Sequence, residues 1–200
     1  MERLRIINPT ELDFFEYSQR DLELARELLS LSPQLQEWAQ EGYQLGVLKT
    51  YDLTRNCITK LYSEFETANH ENGHAAVAKA LGWEVVSISI VRDGNTLGVT
   101  KAVPGSIKPI DQLLLDKMAI CFAGMAAESL SGNNNHRGCG SDMAQVNNLA
   151  NILSKVFYKG TYSPASLVQS QYSKAQGIMR NLGNKELNNR SWFLLQKKVA

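Results

Sequence analysis

A mainly α-helical domain of the α+β class, a helical bundle carrying one small antiparallel β-hairpin, is what this 200-residue sequence predicts. Three observations lead there. Apolar side chains recur at helical spacing along most of the chain, the period shortens from 3.6 to 2 around Val86 to Ile90, and Pro, Gly and Asn stand where the periodic runs stop. With 44% apolar and 20% charged residues the chain has enough apolar surface to bury a core.

Each element has its own signal. Asn8-Pro9 is an N-cap with proline in the first turn, and Leu12, Phe15, Leu22, Ala25, Leu28 and Leu29 follow at helical spacing. Ser32-Pro33 repeats the start signal, and the face of Leu35, Trp38 and Ala39 runs out near Gly46. Residues 1–52 therefore form a helical N-terminal extension, and 53–200 the main domain. The longest helix runs from about Asp52 to Leu81 through Ile58, Leu61, Phe65, Ala68 and Ala76, and Gly82 stops it. Val86, Ile88 and Ile90 then alternate with Ser87 and Ser89, with Asp93-Gly94 turning the chain into a second strand from Thr96 to Val103. Trp83 packs at the helix-to-strand corner. After Pro104 and Pro109 a helix that is apolar all round, and so buried, ends at Ser131-Gly132. The polar run 132–140 is a loop, Ser141 caps a helix with Met143, Val146, Ala150, Leu153 and Phe157 inward, and helices near 166–181 and 185–198 complete the chain.

Charge and cysteine usage exclude several classes. Lys and Arg number 21 against 20 Asp and Glu, so no summed field favours nucleic acid or anionic lipid. The longest apolar run, Met118 to Ala127, is half of the roughly 20 residues a membrane-spanning helix needs, and the N-terminus has no secretory apolar stretch. A cytoplasmic location is the expectation. Three cysteines without a C-x-x-C exclude a disulfide framework and a thiolate zinc site.

His70-Glu71-Asn72-Gly73-His74 is H-E-x-x-H inside the longest helix. Four residues turn an α-helix by about 400°, so His70 and His74 share a face and can reach one Zn²⁺. Glu71 stands beside them, where a carboxylate can take a proton from water activated by the metal, the chemistry of amide hydrolysis. With 3 His and 13 Glu in the chain, random placement yields about 0.003 copies of the motif. Gly73, costing about 1 kcal/mol in a helix, implies a close approach. A catalytic zinc needs a third protein ligand and an open position. His136 lies in the Asn-rich loop; Asp142, in the first turn of a helix beside glycines, is the better placed, although the helix dipole alone would favour an acid there.

His70 to His74, Leu97-Gly98-Val99-Thr100, Gly124-Met125-Ala126-Ala127-Glu128 and Ser141-Asp142 resemble, in order and spacing, the zinc peptidase domain of FtsH-type AAA proteases. The likeness is firm from about Phe65 to Phe157 and looser beyond. It implies His70, His74 and Asp142 as zinc ligands and Glu71 as catalytic base. Leu97, Gly98, Val99 and Thr100 would be an edge strand binding extended substrate, or merely structural. Glu128 would hydrogen-bond a ligand histidine, or else be a solvated helix end. Cys139 would touch the metal, be open to oxidation, or fill a loop. The sequence departs from the family at Asn72, usually alanine, and at Gly138 to Ser141, where Asn commonly precedes the aspartate. It also contains no G-x-x-x-x-G-K-[ST], and the segment before Asp52 does not resemble an ATPase.

The expected activity is therefore that of a zinc metalloendopeptidase cleaving unfolded or flexible polypeptides without an ATPase of its own. The alternative is a catalytically silent, zinc-braced interaction module, against which an intact Glu71 speaks and for which the missing unfoldase speaks. The partners to expect are a polypeptide substrate, a separate ATP-dependent unfoldase and further copies of the chain in a homo-oligomer. Nucleic acid and a membrane span are not expected.

Overall fold

A computed structural model describes residues 55–91, 97–132 and 139–199, with side chains described between 63 and 195. The helices expected between Asn8 and Gly46, the Asp93-Gly94 turn and His136 lie outside the described residues. The chain divides into two compact units, Met1–Phe65 with Leu195–Ala200, and Glu66–Leu194. Of the first, the described parts are the opening of the first helix and the close of the last. The second unit carries everything that follows.

Helix α1 (Arg55–Ala80) stops where the sequence predicts. Leu81 N–H donates to Val77 O at 3.0 Å and Gly82, at φ 75°, takes the left-handed conformation that only glycine adopts without a Cβ clash. Strands β1 (Trp83–Ser89) and β2 (Val99–Pro104) form a two-stranded antiparallel sheet, registered from Trp83 opposite Pro104 to Ser89 opposite Val99. The first strand starts three residues earlier than its alternation suggested, and a bulge between Val85 and Ser87 interrupts it. A bulge shifts the facing parity by one. Trp83 and Val85 thus pack on the core before it, Ile88 and Ile90 turn inward after it, and Val86 is left 62% exposed. Along β2 and the two residues before it, the half-buried Gly98, Thr100 and Ala102 face inward, with Leu97, Val99 and Val103 outward. No further strand pairs with β2 among the described residues.

Helix α2 (Ile110–Leu130) is the centre of the bundle. Its middle, Met118 to Gly124, is buried on every side, as its unbroken apolar run requires. It packs against α3 (Gly140–Ile152) and α4 (Pro164–Leu182), which also pack on each other, over a core that includes Met118, Phe122, Leu153, Leu167 and Met179. Ser163 caps α4, its Oγ accepting from Ser166 N–H at 3.1 Å with Pro164 in the first turn. Helix α5 (Asn184–Val199) closes the chain.

Two local expectations are corrected around α3. Ser141 is not its cap, because Cys139 O already accepts from Met143 N–H at 2.9 Å and the helix starts one residue ahead of the serine. The regular helix also ends at Ile152, beyond which Leu153–Phe157 widens to a π-turn closed by Tyr158 N–H donating to Leu153 O at 2.9 Å. No described helix is long and apolar enough to cross a membrane.

Candidate metal centre

Two glycines let α1 and α2 cross almost in backbone contact. A Cβ on Gly73 would lie 2.6 Å from both Ala123 O and Ala127 Cβ, and one on Gly124 would enter the His70 ring. The close approach implied by Gly73 is therefore the crossing itself, and it lowers the motif face of α1 onto α2.

That crossing supplies both imidazoles with partners. His74 Nδ1 is 2.7 Å from Ile120 O, and a carbonyl oxygen only accepts, so the ring proton sits on Nδ1 and the lone pair on Nε2. His70 Nδ1 is 2.7 Å from Glu128 Oε1, which fixes the same tautomer. The two Nε2 atoms stand 3.0 Å apart. Asp142, brought in by the first turn of α3, puts Oδ2 3.4 Å from His70 Nε2 and 3.5 Å from His74 Nε2. Three atoms able to ligate a metal thus converge from two helices.

Such convergence needs a cation. Ligand atoms about 2.0–2.1 Å from a tetrahedral zinc are about 3.3 Å apart, close to the three separations found here. The charges agree with the distances. Burial works to lower the pKa of His70, but hydrogen bonding to Asp142, Cys139 and Glu128, with the Glu128 charge, pushes it up to about 12. Burial likewise works to raise that of Asp142, and His70 and His74 more than reverse it, holding the carboxyl well below its usual range. A second group, His70, Glu128 and Cys139, is also close enough to share an ion, with the Cys139 thiol 3.8 and 3.9 Å from the Glu128 oxygens.

Glu71 is buried beside the cluster and is held by the sheet rather than by α2. Thr100 Oγ1 lies 2.7 Å from Glu71 Oε2. Of the four residues expected on a substrate strand, Leu97 and Val99 are exposed, whereas Gly98 and Thr100 meet Glu71. Asn72 points away from the cluster and donates to Ser191 Oγ on α5 at 3.3 Å. The packing role of Gly124, named only as part of a family motif, and the Ile120 carbonyl were not read from the sequence. A glycine in the middle of a buried helix was the available signal for the first; a backbone acceptor leaves none.

A helix-borne histidine pair, a glutamate between them and an aspartate from a second helix form the arrangement of a metallopeptidase centre. The chain belongs to peptidase family M41, whose profile matches residues 58–192. It is 37% identical over 102 residues to the ATP-dependent zinc metalloprotease FtsH of Cutibacterium acnes (strain SK137), covering 48% of this chain and 14% of that protein. It is 36% identical over 88 residues to the ATP-dependent zinc metalloprotease FtsH of Cupriavidus metallidurans, covering 42% and 14%. The matched part is thus about a seventh of the length of these relatives.

Proposed function

We propose that this chain is a zinc-dependent metalloendopeptidase that hydrolyses peptide bonds in unfolded or flexible polypeptides. The observation that carries the reading is the meeting of His70 Nε2, His74 Nε2 and Asp142 Oδ2 next to a buried, anchored Glu71. These three atoms would hold the zinc, which when bound polarises the scissile carbonyl and acidifies water. Glu128 and the Ile120 carbonyl keep both rings in the ligating tautomer. Glu71 accepts a proton from the attacking water at Oε1, since Oε2 is engaged by Thr100, and passes it to the leaving amine. A catalytically silent centre would have no need of that carboxylate.

An extended peptide would add to the open edge of β2, meeting the exposed side chains of Leu97 and Val99 and the backbone of Gly98 and Thr100. Pairing of this kind takes several extended residues, which a compact native protein does not offer. These 200 residues contain no Gly-Lys pair for a nucleotide-binding loop, so any ATP-driven unfolding of substrates is supplied from outside these residues.

The test compares an unfolded casein-like substrate with a stably folded one, with and without ATP. The metal-loaded protein cleaves the unfolded substrate independently of ATP and stops with a chelator. Glu71→Gln retains the metal and the fold but loses activity by about 10²–10⁴-fold, the range of a general base. Full activity in that variant, or efficient cutting of the folded substrate by the pure protein, would refute the reading.

A further inference from the structure

Thr100 approaches Glu71 at two places. Its Oγ1 is 2.7 Å from the carboxylate Oε2 and 2.9 Å from the Glu71 backbone carbonyl. Two residues earlier on the same face of the chain, Gly98 leaves the space the carboxylate occupies. A Cβ there would come within 2.7 Å of Glu71 Cγ and 2.9 Å of Oε1. The Leu97 to Thr100 segment therefore makes a socket for Glu71, with Gly98 supplying room and Thr100 a hydrogen bond. The same segment presents Leu97 and Val99 to the outside.

From this contact we infer that Thr100 is a positioning residue for Glu71, holding its carboxylate in one orientation throughout proton transfer. A hydroxyl has one proton and can also accept. While Glu71 is ionised, that proton goes to Oε2, the stronger of the two acceptors because it is charged. Once the carboxylate has taken a proton from water at Oε1, Oε2 is still an acceptor, and the Thr100 hydroxyl goes on donating to it. No proton is gained or lost at Thr100, and the same hydrogen bond to Oε2 holds the group before and after the transfer. Because β2 is the strand a peptide would lie along, its register and the orientation of the base are set by one stretch of chain.

The inference rests on the peptidase reading above, and its test separates the two. Thr100→Val keeps the β-branched shape and strand preference while removing the hydroxyl. Thr100→Ser restores the hydroxyl. In the metal-loaded protein, Thr100→Val lowers kcat by about 10–100-fold, the range seen when a group supporting a site residue is removed. KM and metal content stay at the wild-type values, Tm falls modestly because one hydrogen bond to a buried carboxylate is lost, and Thr100→Ser recovers Tm together with kcat to within about threefold. An unchanged kcat in the valine variant, or a loss the serine variant does not rescue, would overturn the inference. Crystal structures of the metal-loaded wild type and valine variant give a readout independent of activity. Glu71 leaves its wild-type position in the variant; an unmoved carboxylate would overturn the inference even if the wild type hydrolyses nothing, a result that by itself defeats only the peptidase reading.

Discussion

His70 is gripped from both sides, by Glu128 at Nδ1 and by His74 and Asp142 at Nε2. Two carboxylates beside two imidazoles leave the cluster short of positive charge, which in the metal-free protein a proton on His70 supplies. Its folded pKa is raised, so that stabilisation is complete below the ordinary value of 6.5 and is lost as pH rises toward about 12. Zinc requires the same nitrogen unprotonated, so metal uptake near pH 7 releases a proton and weakens as pH falls. Calorimetry in two buffers of different ionisation enthalpy measures the proton; uptake without release would contradict this account. Removing Glu128 from behind the ring by Glu128→Gln weakens zinc by about 10–100-fold. Asp142→Ala, which deletes one converging atom, weakens it by more than Glu128→Gln does, as competition with a chromophoric chelator would show.

Helix crossing decides whether those side chains meet. Gly124→Ala is a sharp test, because two effects oppose each other. Alanine gains about 1 kcal/mol over glycine in a helix, while overpacking a filled site costs about 1–3 kcal/mol. Net stability therefore falls by about 0–2 kcal/mol, while the methyl displaces the His70 ring and zinc affinity falls by at least about tenfold, measured by the same competition. A Gly124→Ala protein with wild-type affinity would mean that the crossing has more slack than the contact indicates. Asn72, one of the sequence's departures from its family, belongs to this scale as well. Its hydrogen bond to Ser191 ties α1 to α5 and leaves the cluster untouched.

Across the whole unit, a second polar cluster joins the elements that carry the site. Asp116 on α2, 1% exposed, receives Lys108 Nζ at 2.8 Å, Lys174 Nζ at 3.1 Å and Gln112 Nε2 at 2.8 Å. Lys108 also donates to Leu81 O at 2.6 Å, closing the carbonyl end of α1 with a cation. Burial works to raise the Asp116 pKa, but the two lysines and Gln112 outweigh it and hold the group below its usual value. A depressed folded pKa means that the stabilisation is complete above the ordinary 3.8 and is lost as pH falls through the folded value. Asp116→Asn costs about 1–3 kcal/mol at pH 7, the scale of hydrogen bonds to charged groups. Urea denaturation at pH 7 and pH 2 checks both parts, since the gap between variant and wild type narrows in acid. A gap that held at pH 2 would show that the charge of Asp116 contributes nothing.

What the sequence determined on its own is what short spacing encodes. His70, Glu71 and His74 share a helix, so their chemistry was legible from a four-residue interval. The stop at Gly82 and the buried middle of α2 were legible for the same reason, whereas the helix expected near 166–181 starts at Pro164, capped by Ser163. The bulge at Val86 was not, because a one-residue slip in strand register depends on which face the core covers. Nor were the contacts that complete the centre, which pair residues 46 to 72 positions apart: His74 with Ile120, His70 with Glu128 and with Asp142. Thr100 was legible as part of a strand but not as the anchor of Glu71, since only the packed sheet turns alternate residues of β2 toward α1. Local periodicity specifies elements, whereas the meeting of side chains from different elements is decided by how closely the helices pack, here by two glycines at one crossing.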